Sequence, residues 1–346
     1  MVTLTKMSRG VWALTCLIAL LLAGCASRWV VDTQPRESQL QWPQSPLKPK
    51  ILQLMAINGF REEGTSLKTI FSGRGEQKLI RPVAVTTGHD GRLAIASAEC
   101  RCVHLYIPAE QEHHRLFVAN NEEMVSPVGI AFDDDLRLYV SDSALARIFV
   151  FDRKGEYLVT FDSGGGGPLR RPTGLAYNSN AKVLYVVDTL AQKVFALDSK
   201  GETVFSFGER GIGNGQFNFP THIFWSPSGQ LYVTDAMNFR VQMFDSSGAF
   251  LNAFGHHGDG SGDFAMPKGV AADRDGIIYL VDSLFDNVQL FNRQGQFLLT
   301  LGSRGTALGE FWLPSGIFAD GHDKLYVCDT FNQRVQVFQI LREVNE

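Results

Sequence analysis

At 346 residues, with 45% hydrophobic and 20% charged residues, the chain has the composition of a globular protein; wholesale disorder is excluded, and two domains are permitted but not required. The 34 glycines and 25 phenylalanines suit many short strands joined by tight turns and packed through aromatic rings, so an all-β fold is the first expectation. A formal net charge of −4 argues against a nucleic-acid ligand, whose binding is dominated by phosphate neutralisation.

The first 24 residues read as a secretory signal: Lys6 and Arg9 give a basic start, an apolar run extends from Val11 to Leu22, and Ala23 and Gly24 are small. That run is shorter than the ~20 residues a bilayer-spanning helix needs. The segment Leu22-Ala23-Gly24-Cys25 resembles a bacterial lipobox, and the resemblance implies that Cys25 is acylated and becomes the mature N-terminus. A chain starting there loses Lys6 and Arg9 but no acid, and so carries −6. By the same resemblance, Ala26 and Ser27 in place of an aspartate imply delivery to an outer membrane where the cell has two, on its periplasmic side or at the surface. Residues 25–50 contain Pro35, Pro43, Pro46 and Pro49 among polar residues, which predicts an extended, unpacked tether.

Residues 51–346 are read as one domain. Its first segment, Ile51 to Ile57, is a continuous apolar run suited to a buried strand, while Leu67, Ile70 and Phe71 recur at helical spacing over 65–72. We take 51–57 as the strand that completes the last repeat and 65–72 as a short helix; the reverse assignment is the alternative.

From residue 82 onward a unit of 45 to 48 residues repeats. It opens with Pro82, Pro127, Pro172, Pro220, Pro267 and Pro314. An apolar strand ending in aspartate follows, at Asp142, Asp188, Asp235, Asp282 and Asp329; the first copy is degenerate and ends in Ser97. A third strand alternates with period two, as in Arg240-Val-Gln-Met-Phe244, and a turn closed by glycine leads to a fourth, such as Phe250 to Phe254. Four strands per unit at this period indicate propeller blades. This grammar of proline, aspartate and arginine resembles the NHL repeat family over about residues 82–340. The resemblance implies a single six-bladed β-propeller of four-stranded antiparallel blades, and exported lipoproteins of this type imply no settled activity.

In four units the aspartate lies five residues before a basic residue: Asp142 and Arg147, Asp188 and Lys193, Asp235 and Arg240, Asp329 and Arg334. A pair repeated on most blades suits structural bridges across each hairpin better than one catalytic centre. Two positions after the proline the units carry Ala84, Gly129, Gly174, His222, Gly269 and Gly316, so His222 is a candidate ligand-binding group at the channel mouth. Zinc catalysis needs three protein ligands, and this register supplies one imidazole. His113-His114 and His256-His257 fall in stretches that read as loops. Two residues after the aspartate stand Leu190, Met237, Leu284 and Phe331, with Ala144 in the second unit; they form an exposed apolar patch or pack against the neighbouring blade.

Once Cys16 leaves with the signal and Cys25 is acylated, Cys100, Cys102 and Cys328 remain, which gives no even disulfide framework. Cys100 and Cys102 are read as two free thiols, with a bridge between them as the alternative. No metal or other cofactor is expected. The sequence thus points to a membrane-anchored, extracytoplasmic binding or scaffold protein, read as a non-enzyme, presenting a propeller face to a protein, peptide or glycan. The alternative is a metal-dependent propeller enzyme of lactonase or lyase type with its site at the central channel.

Overall fold

A computed structural model describes residues 28–35, 40–44, 47–48, 50–63 and 75–342. It is an all-β propeller. Five four-stranded antiparallel sheets follow one another along the chain, the first with strands Pro82–Thr87, Leu93–Ser97, Cys102–Ile107 and Glu112–Leu116. The fourth has Pro220–Trp225, Leu231–Asp235, Arg240–Phe244 and Phe250–Phe254. In each of units two to five the opening proline pairs in register with the aspartate that ends the second strand, as in Pro220 with Asp235. In the second to fifth sheets the tyrosine of the second strand is buried, where its hydroxyl needs a partner. Tyr279 donates to Asp273 Oδ2 at 2.9 Å and Tyr185 donates to the Ser246 carbonyl at 2.7 Å.

The expectation of six four-stranded blades is corrected to five. The strands after Pro314, namely Ile317–Ala319, Lys324–Asp329 and Arg334–Ile340, belong to a seven-stranded sheet. Beyond Arg334–Ile340 that sheet continues through Ile51–Glu63 to Arg28–Pro35, and Gln41–Trp42 and Glu76–Lys78 also pair with Ile51–Glu63. Ile51 pairs with Ile340 and Ile57 with Val335 in antiparallel register. The physical reason is length: a 13-residue strand overhangs its partner, and its exposed backbone groups recruit further segments in place of a bare edge.

A second correction follows. Arg28–Pro35, expected within an unpacked tether, is a strand, and the Trp29 N–H donates to the Gln111 carbonyl at 2.7 Å. Proline composition there caps segments that still find an edge to pair with. The proposed helix over 65–72 and the signal segment, with Cys25, lie outside the described residues.

Candidate functional site

Three regions carry the residues singled out above. The first is the ring of aspartates. Asp142, Asp188, Asp235, Asp282 and Asp329 are fully buried and act as hydrogen-bond hubs. Asp235 accepts from the Asn218 N–H at 2.7 Å, Asn238 Nδ2 at 2.8 Å, Arg240 Nε at 2.9 Å and Gln242 Nε2 at 3.0 Å. Asp329 repeats the pattern with the Trp312 N–H, Asn332, Arg334 and Gln336, and its burial still pushes its carboxyl above the usual range. The expected bridges therefore form at Asp235 with Arg240 and at Asp329 with Arg334.

The other two pairs need correction. Asp142 and Arg147 are register partners, but Arg147 pairs with Glu122, and Asp142 is satisfied by the N–H groups of Val125, Ser126, Ala144 and Leu145. Asp188 likewise accepts from Arg170, Arg171 and Ala191 N–H groups, while Lys193 is its register partner across the hairpin. Backbone donors aimed at a buried carboxylate serve as well as a cation and cost no side-chain ordering.

The second region is the face at the aspartate ends. Leu190, Met237, Leu284 and Phe331 are 45%, 54%, 59% and 37% exposed, so each leaves a large part of its side chain at the surface. Ala144, at the same place in the second unit, is also exposed. Phe219 and Trp312, in the connections that enter two of the units, add to the same face, and Trp312 packs against Phe331 at 5.6 Å. The Arg81 guanidinium lies 4.9 Å over the Phe331 ring.

The third is the channel. Inner strands of several units line a cavity of about 180 Å³ that includes Gly129, Gly174 and His222 and is flanked by the rings of Phe132, Tyr177 and Trp225. The glycines are required there: a Cβ on Gly174 would lie 2.7 Å from Ile223 N and 2.8 Å from His222 Cα. His222 Nδ1 accepts the Val270 N–H at 3.3 Å, and burial lowers its pKa to about 4, so the neutral ring carries its proton on Nε2. The lining offers this one imidazole and no carboxylate.

A fourth cluster was not assembled by sequence reasoning. Cys100 and Cys102 are joined by a disulfide, which corrects the reading of two free thiols; their Cα atoms are 5.2 Å apart. His113 and His114 lie on the strand Glu112–Leu116, not in a loop. His113 Nε2 is 3.0 Å from Nδ1 of His104, a buried residue whose Nε2 is 3.6 Å from Cys102 Sγ. Phe60 stacks on His113 at 4.4 Å, and Trp29 packs on its ring at 5.0 Å. Burial lowers the pKa of His104 to about 4 and of His113 to about 3, so both are neutral near pH 7. His256, the other flagged pair's first member, is exposed and bonded to Asp263 at 2.7 Å.

No family model matches the chain, and no curated protein matches it in sequence. Solved structures do match in shape. A streptogramin B lyase aligns with a TM-score of 0.56 at 10% identity, covering 76% of this chain and 94% of that one. A catalytically inactive virginiamycin B lyase from Staphylococcus aureus with quinupristin aligns at 0.58 and 11%, covering 90% and 100%. A protein of unknown function from Bacteroides thetaiotaomicron aligns at 0.56 and 13%, covering 91% and 76%. At these identities the likeness is one of architecture, and what this chain shares with all three is the β-propeller fold.

Proposed function

We propose that this is an exported, lipid-anchored scaffold of the NHL-repeat type that docks a protein or peptide segment on the aspartate-end face of its propeller. The observation that carries this reading is the exposed ring of Leu190, Met237, Leu284 and Phe331. Large apolar side chains repeated at one turn of successive units keep 37–59% of their surface exposed, and such surface marks interaction sites. Repeated aliphatic side chains at Leu190, Met237 and Leu284 favour a protein or peptide among the three partner classes. Within this reading Cys25 holds the chain to the membrane, and no nucleic acid is bound.

We further read the seven-stranded sheet as standing in the position of a sixth blade, completed by residues 51–57. In units three and five the hydroxyl after the aspartate donates to the next opening proline, Thr189 to the Pro220 carbonyl and Ser283 to the Pro314 carbonyl. Thr330 donates in the same way to the Pro82 carbonyl at 2.9 Å, which supports a closed ring of six.

Photo-reactive residues at Met237 and Leu284, compared in cells with the outer-strand positions Leu158 and Leu251, test the docking face. The latter are 48% and 47% exposed, so exposure is matched. Adducts of defined mass from the ring positions alone are expected; equal yields from both sets, or none, overturn the proposal. The second reading, a metal-dependent lyase or lactonase at the channel, draws on His222. A stoichiometric metal lost on His222→Gly would favour it.

A further inference from the structure

The repeat frame isolates one place where its chemistry is replaced. At the register where units four and six pair aspartate with arginine, the first blade pairs Ser97 with Cys102. Two residues on along the third strand, where units four to six carry Gln242, Gln289 and Gln336, the first blade carries His104. Side chains two apart on a strand share a face, so Cys102 and His104 project together into the space beneath Phe60. Cys100 enters the same spot from the preceding turn, and its Sγ lies 3.6 Å from the Ser97 carbonyl. The Ser97 hydroxyl is buried without a hydrogen-bond partner.

We propose that reduced Cys100 and Cys102, together with His104, form a binding site for a thiophilic d¹⁰ metal ion, Zn²⁺ or Cu⁺, and that the disulfide is the closed form of that site. A structural bridge needs no imidazole beside it, yet Cys102 Sγ and His104 Nε2 are 3.6 Å apart. That is close to the ~3.5 Å expected between a thiolate and an imidazole nitrogen on one tetrahedral zinc, given bonds of ~2.3 and ~2.0 Å. All three ligand atoms lie within 4.8 Å of one another, the one such group of histidine, cysteine and acid side chains among the described residues. Breaking the S–S bond frees the sulfurs to separate to the ~3.8 Å that a shared ion requires. The second ring nitrogen of His104 is held by His113, 3.0 Å away, and His113 is clamped between Phe60 and Trp29. This is the outer-shell contact that fixes a metal-binding imidazole's tautomer and orientation. Cys100 is partly exposed and supplies the path of entry.

Opening the site consumes a dithiol reductant. Two electrons and two protons pass to the Cys100–Cys102 disulfide, the reductant becomes a disulfide, and binding of the ion then displaces one proton from each thiol. The site therefore loads only where a reducing partner reaches it.

The test is metal titration of the full chain in competition with a chromophoric chelator, with Zn²⁺ and anaerobically with Cu⁺, before and after reduction by a phosphine. One ion per chain is expected after reduction and none before it; the tighter of the two names the ion. His104→Gln installs the residue that units four to six carry at this register, so folding is retained, and it should weaken binding by more than 100-fold. His113→Gln should weaken it by about 10- to 100-fold, the effect of losing an outer-shell partner. Binding that is equal in oxidised and reduced protein, or unchanged in His104→Gln, overturns the proposal. A metal lost on His222→Gly but retained after oxidation of the cysteines belongs to the channel, and equally counts against this site.

Discussion

The fourth blade and the first occupy the same frame with different polar chemistry. In the fourth, Asp235 gathers Asn218, Asn238, Arg240 and Gln242, and Arg240 carries the network on to the carbonyls of Ile212, Gly213 and Gln216. One buried carboxylate thus ties the second strand, the third strand and the incoming connection into a unit. In the first, Ser97 makes no side-chain bond, and the equivalent space is filled by the Cys100–Cys102 bridge and the His104 and His113 rings under Phe60 and Trp29. The contrast teaches that the backbone ladder does not depend on the aspartate hub. The space is filled either by a carboxylate network or by paired imidazoles and a covalent link, and the first blade even tolerates one unpartnered hydroxyl at Ser97.

Removing the hub should therefore cost most where it exists. Asp235→Ala strands the guanidinium of Arg240 and the buried amide of Gln242, and is expected to destabilise by about 3–5 kcal/mol, the usual cost of breaking a buried pair. Ser97→Ala, at the corresponding position of the first blade, removes a hydroxyl with no partner and should be close to neutral. Urea denaturation of both variants measures the difference. Equal losses would mean that the two blades are held by the same interactions after all.

A smaller difference is expected at the inner strands. Gly174→Ala drives a methyl group against the backbone of His222 and Ile223, for an expected loss of about 1–3 kcal/mol. The first blade already carries Ala84 at this register, at 7% exposure, so its neighbour must stand farther off. Ala84→Gly should cost only about 0.5–1 kcal/mol through backbone entropy. Thermal melting of the pair would sharpen the comparison, since a small penalty at Gly174 would show that the channel yields as readily at the third blade as at the first.

How much of this was legible follows from the range of each interaction. The repeat period, the register of proline with aspartate and the alternation of the third strand are local patterns; they give the four-stranded blade, but the six blades expected become five, and of the four expected Asp–basic bridges two form. Which donors satisfy Asp142 and Asp188 is not local: Arg147 has a competing carboxylate in Glu122, 25 positions away. The pairing of Arg28–Pro35 with Ile51–Glu63 left no periodic signal, because a proline-containing polar segment reads the same whether or not an edge awaits it. His104 was overlooked for a related reason. Its departure from glutamine at a repeated register was visible, but its meaning rests on His113, Phe60 and Trp29, which come from three other strands.

The smallest expected effect separates the docking face from both blades. Replacing Leu190, Met237 and Leu284 together by serine removes three large apolar side chains, yet each is about half exposed, and the turns that carry Leu190 and Leu284 are held through backbone N–H groups by the aspartate preceding them. The Met237 N–H donates to the Asn218 carbonyl at 3.0 Å and its carbonyl accepts from Asn218 Nδ2 at 3.5 Å, backbone contacts that serine retains. Surface changes of this kind fall within about 0.5 kcal/mol each, and relieving exposed apolar surface offsets part of that. The triple variant should therefore melt within a few degrees of the parent while losing the crosslinks expected from this face. A large drop in melting temperature would place these side chains among the groups that hold neighbouring units together, and the ring would then belong with the aspartate hubs as architecture and not with recognition.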